Sequence, residues 1–217
     1  MKHTTLNPLR AICVSAALAC AGTASDAGNL LLNHSFESGT GTTDADFWTL
    51  HSGDTFRENT NGFGFSGPAM QDGDFAVKMF GGEGDAFQTN IPVFASTDYE
   101  VSGWFYHSST EDVVANDPSS TRMFMHVEWF DASGTSLGND YTANHNGTSP
   151  ADQWVRISAV FNSPGGSHHA TFHVESDSNV GGGSVFGDNF TFIPEPSASL
   201  FLIGAAVVLG LARRKGA

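Results

Sequence analysis

Alternation along Tyr99–His107 places Glu100, Ser102, Trp104 and Tyr106 on one face of an extended segment, and Arg122, Phe124, His126 and Glu128 share a face of the next. Sugar rings stack their apolar faces on Trp and Tyr, while neighbouring polar groups bond the hydroxyls. A face carrying Trp104, Tyr106, His126 and Glu128 therefore makes a credible sugar platform. Trp104 and Trp129 would serve equally well in a hydrophobic core, since the chain holds 18 Phe, 4 Trp and 3 Tyr.

Other chemistries find less support. The nine histidines are scattered, and His169 and His173 are spaced as metal ligands only if the segment is helical. On a strand they lie about 13 Å apart, so the pair is not a chelate. There is no Gly-x-Ser-x-Gly elbow and no phosphate loop, and both cysteines, Cys13 and Cys20, lie in the N-terminal leader. Nothing singles out a catalytic carboxylate pair, and the sequence is not read as an enzyme. A polysaccharide-active enzyme ranks third among the functional readings.

The elements that must position these residues are strands. Short apolar or aromatic runs recur every ten or so residues, broken by Gly, Pro, Asn, Asp and Ser clusters. The runs are Asn29–Asn33, Phe47–His51, Phe75–Phe80, Ala86–Val93, Asp98–His107, Thr121–Phe130, Leu137–Thr142, Trp154–Asn162, Ala170–Ser176 and Ser184–Ile193. In Ala170–Ser176, Phe172 and Val174 face one way, and Thr171, His173 and Glu175 the other. One buried and one wetter face is the habit of antiparallel sheets. The pattern predicts an all-β fold, an antiparallel β-sandwich or jelly roll over 28–193. Residues 28–196 carry four basic residues against 22 acidic ones (all 23 but Asp26), a net charge of −18. Such a domain does not attract nucleic acid or an anionic membrane.

The ordered set Asn29-Leu-Leu-Leu-Asn-His-Ser-Phe-Glu37, Trp48, Phe75-Ala-Val-Lys-Met79, Phe87–Val93, Tyr99–Tyr106, Val127–Gly134, Trp154 and Val185-Phe-Gly-Asp-Asn189 resembles carbohydrate-binding modules of the family 4 and 9 kind. These belong to the galactose-binding-domain-like jelly rolls. The resemblance covers about 29–193. It implies a non-catalytic polysaccharide-binding domain, with Trp48 and Trp154 structural. It also implies a structural Ca2+ held by Glu37 and Asp188 with backbone carbonyls, a hard-oxygen set of the kind calcium takes. The closing Gly-Asp-Asn departs from the paired aspartates common in that family, and Thr60–Asp74 is unusually rich in Gly.

Both ends read as addresses. Residues 1–27 carry Lys2 and Arg10, an apolar stretch and then small residues, the plan of a secretory signal peptide cleaved after Ala24 or Ala27. At the other end, Pro194-Glu195-Pro196 precedes an uncharged run from Ala198 to Ala212 and the basic stop Arg213-Arg214-Lys215. The run reaches about 23 Å as a helix, short of the roughly 30 Å hydrocarbon core, so it spans only with help from its flanks. The basic cluster should stay cytoplasmic. The arrangement over 194–217 resembles the PEP-CTERM sorting signal of Gram-negative bacteria, which implies an exosortase as processing partner. It further implies transient anchoring by a transmembrane helix at 198–212, then release to the outer surface or an exopolysaccharide matrix. The alternative to polysaccharide binding is a structural surface or biofilm-matrix protein without a discrete ligand.

Overall fold

The computed structural model describes residues 28–51, 53–62, 65, 67, 69–80, 83–110, 122–177 and 184–195. The leader at 1–27, the run 198–212, and Pro196, Arg213 and Arg214 of the sorting signal lie outside the described residues. Among the described residues no helix is long and apolar enough to cross a membrane.

Eleven strands follow in order: β1 (Thr49–Leu50), β2 (Thr55–Asn59), β3 (Phe75–Phe80), β4 (Gly84–Pro92), β5 (Asp98–His107), β6 (Arg122–Phe130), β7 (Ser136–Tyr141), β8 (His145–Asn146), β9 (Val155–Asn162), β10 (His169–Asp177) and β11 (Ser184–Pro194). They form two antiparallel sheets. One runs β1-β4-β10-β6-β7, with β8 beside β6, and the other runs β2-β3-β11-β5-β9. Only β2–β3 and β6–β7 are paired sequence neighbours; most other consecutive strands lie in opposite sheets, so the sandwich is closed by crossovers rather than by a meander.

The core lies between the sheets and draws on both: Val101 and Phe105 of β5 and Phe190 and Phe192 of β11 meet Met125, Val127 and Trp129 of β6 and Phe172 of β10. Alternation along each strand sends these side chains inward and their neighbours outward. The Phe190 ring occupies space that only glycine could leave. A Cβ on Gly103 would stand 2.4 Å from Phe190 Cδ1, and one on Gly187 2.7 Å from its Cζ.

Three local departures from the sequence reading have physical causes. Asn29–Asn33 is not a strand, because the Asn29 side chain does the work of a ladder: Oδ1 accepts from Leu31 and Phe192 N–H and Nδ2 donates to Phe190 O. Asn33 and Phe36 then turn the chain through positive φ, 48° and 61°. The polar strand Thr55–Asn59 carries no apolar alternation, yet it pairs with β3 along its whole length. The last strand also runs one residue further than expected. Pro194 pairs with Tyr99, so the first residue of the Pro-Glu-Pro triplet belongs to the sheet, and Glu195 N–H donates to Asp98 O just beyond the strand end.

Candidate functional site

The outer face of the six-stranded sheet carries one aromatic ring from each of four adjacent strands. Register sets Phe87 of β4 against His173 of β10, His173 against His126 of β6, and His126 against Tyr141 of β7. Their rings form a continuous transverse row with centroid separations of 5.3, 4.1 and 5.1 Å. Antiparallel pairing brings directly opposed side chains on one face to about 5 Å, which is what makes such a row.

Alongside it the same register aligns polar groups: Asp85 with Glu175, and Asp177 with Arg122. Arg122 pairs with Asp177 at 2.7 Å, and its guanidinium stands over the Phe124 ring at 5.4 Å. His173 Nδ1 lies 3.3 and 3.2 Å from the two Asp85 oxygens, and His126 Nδ1 3.3 Å from Glu175 Oε2. Burial pushes the Glu175 carboxyl up, but His126, His173 and Arg122 together hold it below the usual carboxylate range. An open groove of about 450 Å³ runs beside the row, lined by His51, Asp85, Arg122, Phe124, Tyr141 and Glu175 among others. Tyr141, 56 % exposed, offers the groove a ring. Glu128 sits further along β6 on this face, opposite Asn139 and Thr171.

The structure divides the platform expected from sequence. His126 and Glu128 are on the six-stranded sheet, whereas Trp104 and Tyr106 lie on the outer face of the other sheet. The four do not meet. Trp104 is half-buried, flanked across the strands by Arg156 and Asp188. Tyr106 is fully buried and closed to a ligand, with Phe65 at 4.9 Å and Trp154 at 5.5 Å. The cause is the Gly-rich segment, which folds over this face. Phe65 and Met70 pack there with Ala76, Tyr106 and Phe186 as a second small core, and Trp154 Nε1 donates to Ala69 O. This outer face is covered around Tyr106 and Phe186, whereas its β9 edge, with Arg156 and Val160, is exposed.

Glu37 and Asp188 come to the same turn, Gln71–Phe75. Asp188 accepts from Asp72 N–H at 2.8 Å and Asn189 N–H at 2.7 Å, while Glu37 accepts from Asp74 and Phe75 N–H at 3.1 and 2.9 Å. Arg57, buried beneath, donates to Phe36 O and Glu37 O and lies 3.3 Å over the Phe75 ring, fixing the opening segment against the turn. Gly73 is held at φ +67°, and a Cβ there would stand 2.3 Å from the Glu37 carboxyl carbon, so the turn is shaped to the carboxylate. Burial pushes the Asp188 carboxyl up to about 7, and the Asp72 charge adds to this against the opposing amide bonds. Calcium's hard-oxygen preference fits this donor set in kind. Asp188 is fully buried, and the amides of Gln71, Asp72 and Asn189 leave at least one of the roughly four lone-pair sites of its carboxylate.

No family model matches the chain, and no curated protein matches it either. Solved structures do. The CBM22-1 xylan-binding domain from Paenibacillus barcinonensis Xyn10C aligns at 18 % identity with a TM-score of 0.51, covering 78 % of this chain and 96 % of that one. A family 16 carbohydrate-binding module aligns at 17 % identity and TM-score 0.51, over 76 % of this chain and 99 % of the module. The enzymatically active domain of bacteriophage CBA120 tailspike protein 4 aligns at 15 % identity and TM-score 0.53, but there the match spans only 21 % of the larger chain. The fold is an antiparallel jelly-roll sandwich that resembles these modules. At these identities the likeness speaks for the fold alone, and the site must be argued from its own residues.

The sequence placed His126 and Glu128 correctly on one face but left out Tyr141, His173, Glu175 and Asp85. The face of His173 and Glu175 was readable from alternation. Their partners depend on the order β4-β10-β6-β7, which no local pattern encodes.

Proposed function

We propose that this chain is a non-catalytic module that binds a neutral or weakly charged polysaccharide along the groove on the open face of the six-stranded sheet. The observation that carries the reading is the exposed Tyr141 ring in a groove bordered by Arg122, Asp177, Glu175 and Asp85. A stacking surface flanked by charged hydrogen-bonding groups is what a pyranose needs: an apolar face for its ring and partners for its hydroxyls. The shared fold with xylan-binding and other carbohydrate-binding modules supports it. Affinity electrophoresis of the protein through gels containing different soluble polysaccharides tests it. Tyr141→Ala should weaken retardation about tenfold, a loss of ~1.4 kcal/mol, whereas Trp104→Ala, on the opposite sheet, should leave it unchanged. No retardation by any polysaccharide would sink the reading in favour of a structural matrix protein.

Export and sorting complete the proposal. The leader at 1–27 takes the chain across the inner membrane, and an exosortase acts at Pro194–Pro196. The protein is then held at the outer surface or in the matrix of a Gram-negative cell. Mass spectrometry of the mature protein should find a chain ending near the triplet. A mature chain that still carries Arg213, Arg214 and Lys215 would overturn the cleavage. Calcium at the Glu37–Asp188 turn would supply the positive charge that Asp188 lacks in its buried setting, tying the opening and closing segments of the domain together.

A further inference from the structure

One nitrogen each of His126 and His173 and one oxygen of Glu175 all lie within 4.8 Å of one another. Among the described residues this is the only group of three or more metal-ligating side chains so gathered. Two different strands build it. His126 of β6 is the direct cross-strand partner of His173 of β10, and Glu175 follows two residues along β10 on the same face. The imidazoles stack with centroids 4.1 Å apart and ring planes 15° from parallel.

Two further details distinguish the cluster from a simple stack of rings. His126 is 7 % exposed, and its Nδ1 lies 3.3 Å from Glu175 Oε2 in poor hydrogen-bond geometry. A buried nitrogen left in that state is costly, and a cation would use its lone pair. On the other ring, His173 Nδ1 faces the Asp85 carboxylate at 3.2 Å. A carboxylate there holds the proton on Nδ1 and leaves Nε2 as the basic nitrogen, the outer-shell arrangement that orients metal-bound histidines.

We propose that His126, His173 and Glu175 bind a first-row transition dication of the zinc class, with Asp85 as a positioning residue. Two imidazoles and one carboxylate suit such an ion better than calcium or magnesium, which prefer all-oxygen shells. Three protein ligands would leave a fourth position for water or another ligand. The inference stands on these four residues and not on polysaccharide binding.

The test uses the full chain stripped with a chelator, dialysed, and titrated with Zn2+ by calorimetry and with Co2+ by visible absorption. One equivalent should bind saturably, with Co2+ giving the ligand-field spectrum of a site containing nitrogen donors. His126→Gln and Glu175→Gln should each weaken Zn2+ at least a hundredfold, and Asp85→Asn about ten- to a hundredfold. Unchanged urea midpoints in the metal-free state would show that the variants fold. Absence of saturable binding by the folded wild type would overturn the site. So would Zn2+ affinity unchanged by His126→Gln and Glu175→Gln, which would place the ion among the other histidines.

Discussion

Raising the pH from 4 to 8 in the presence of a chelator should cost the wild-type protein about 4 kcal/mol relative to Asp188→Asn. The Asp188 carboxyl is fully buried, and burial, followed by the charge of Asp72, pushes it up to about 7 from an ordinary value of 3.8. A group whose folded value is raised contributes its full stability below the unfolded value and loses it as the pH climbs through the folded one. The window is therefore pH 4 to 7, and each pH unit within it is worth about 1.4 kcal/mol. Asparagine cannot ionise. Its altered hydrogen bonds to Asp72 and Asn189 N–H add an offset to stability that does not vary with pH. The readout is the difference in urea-unfolding free energy between the two proteins, measured at each pH. Calcium should restore the wild type at pH 8, where the carboxylate is ionised, and do little at pH 4. A difference that stays flat from pH 4 to 8 would show that Asp188 titrates normally. A midpoint at pH 8 that is indifferent to calcium would remove the ion from the proposal.

That prediction concerns two residues, Glu37 and Asp188, which the sequence did bring together, and the contrast with the aromatic platform is instructive. Glu37 and Asp188 lie near the ends of the domain, where the opening segment folds back on β11 through Asn29 and His34. A resemblance in overall order is enough to place them. Phe75–Phe80 and Asp98–His107 were likewise readable to the residue, because alternation and bounding turn residues are local properties. The platform failed for a different reason. Alternation tells which residues of a strand share a face, but not which of two sheets the strand joins. Tyr99–His107 and Arg122–Phe130 follow one another in sequence and lie in opposite sheets. Nor could composition show that Thr60–Asp74 folds over one sheet face. Its glycines look like a solvated loop until Phe65 and Met70 are seen packed on Tyr106 and Phe186. On that face the cover closes over Tyr106 and Phe186, while Glu100 and Arg156 nearer its β9 edge stay partly exposed; the aromatic row with its polar neighbours is on the other face.

At the end of the sandwich, His107 of β5 and His145 of β8 bridge the two sheets, with Nδ1 of the first 2.7 Å from Nε2 of the second. Both rings are buried, and His145 also stacks on Phe105. One nitrogen of this contact must donate and the other accept, so two full protonations would set N–H against N–H. The His145 Nδ1 is buried without a partner, and charging that ring places a second donor in the core with nothing to receive it. Burial, followed by the His107 charge, lowers His145 from 6.5 to about 4, and burial lowers His107 as well. Here the sign is the reverse of that for Asp188. A lowered histidine contributes stability above its unfolded value and loses it as the pH falls from about 6.5 towards 4. The loss at His145 comes to about 3 kcal/mol. Over this same interval Asp188 gains what His145 loses, so in chelator the stability curve of the wild type conceals both. Only differences against variants separate them. The advantage of the wild type over His145→Leu, measured by urea unfolding, should shrink by about 3 kcal/mol between pH 7.5 and 4. An advantage that holds constant across that range would mean that the pair takes up its proton without penalty, and the bridge between the sheets would then be indifferent to acid.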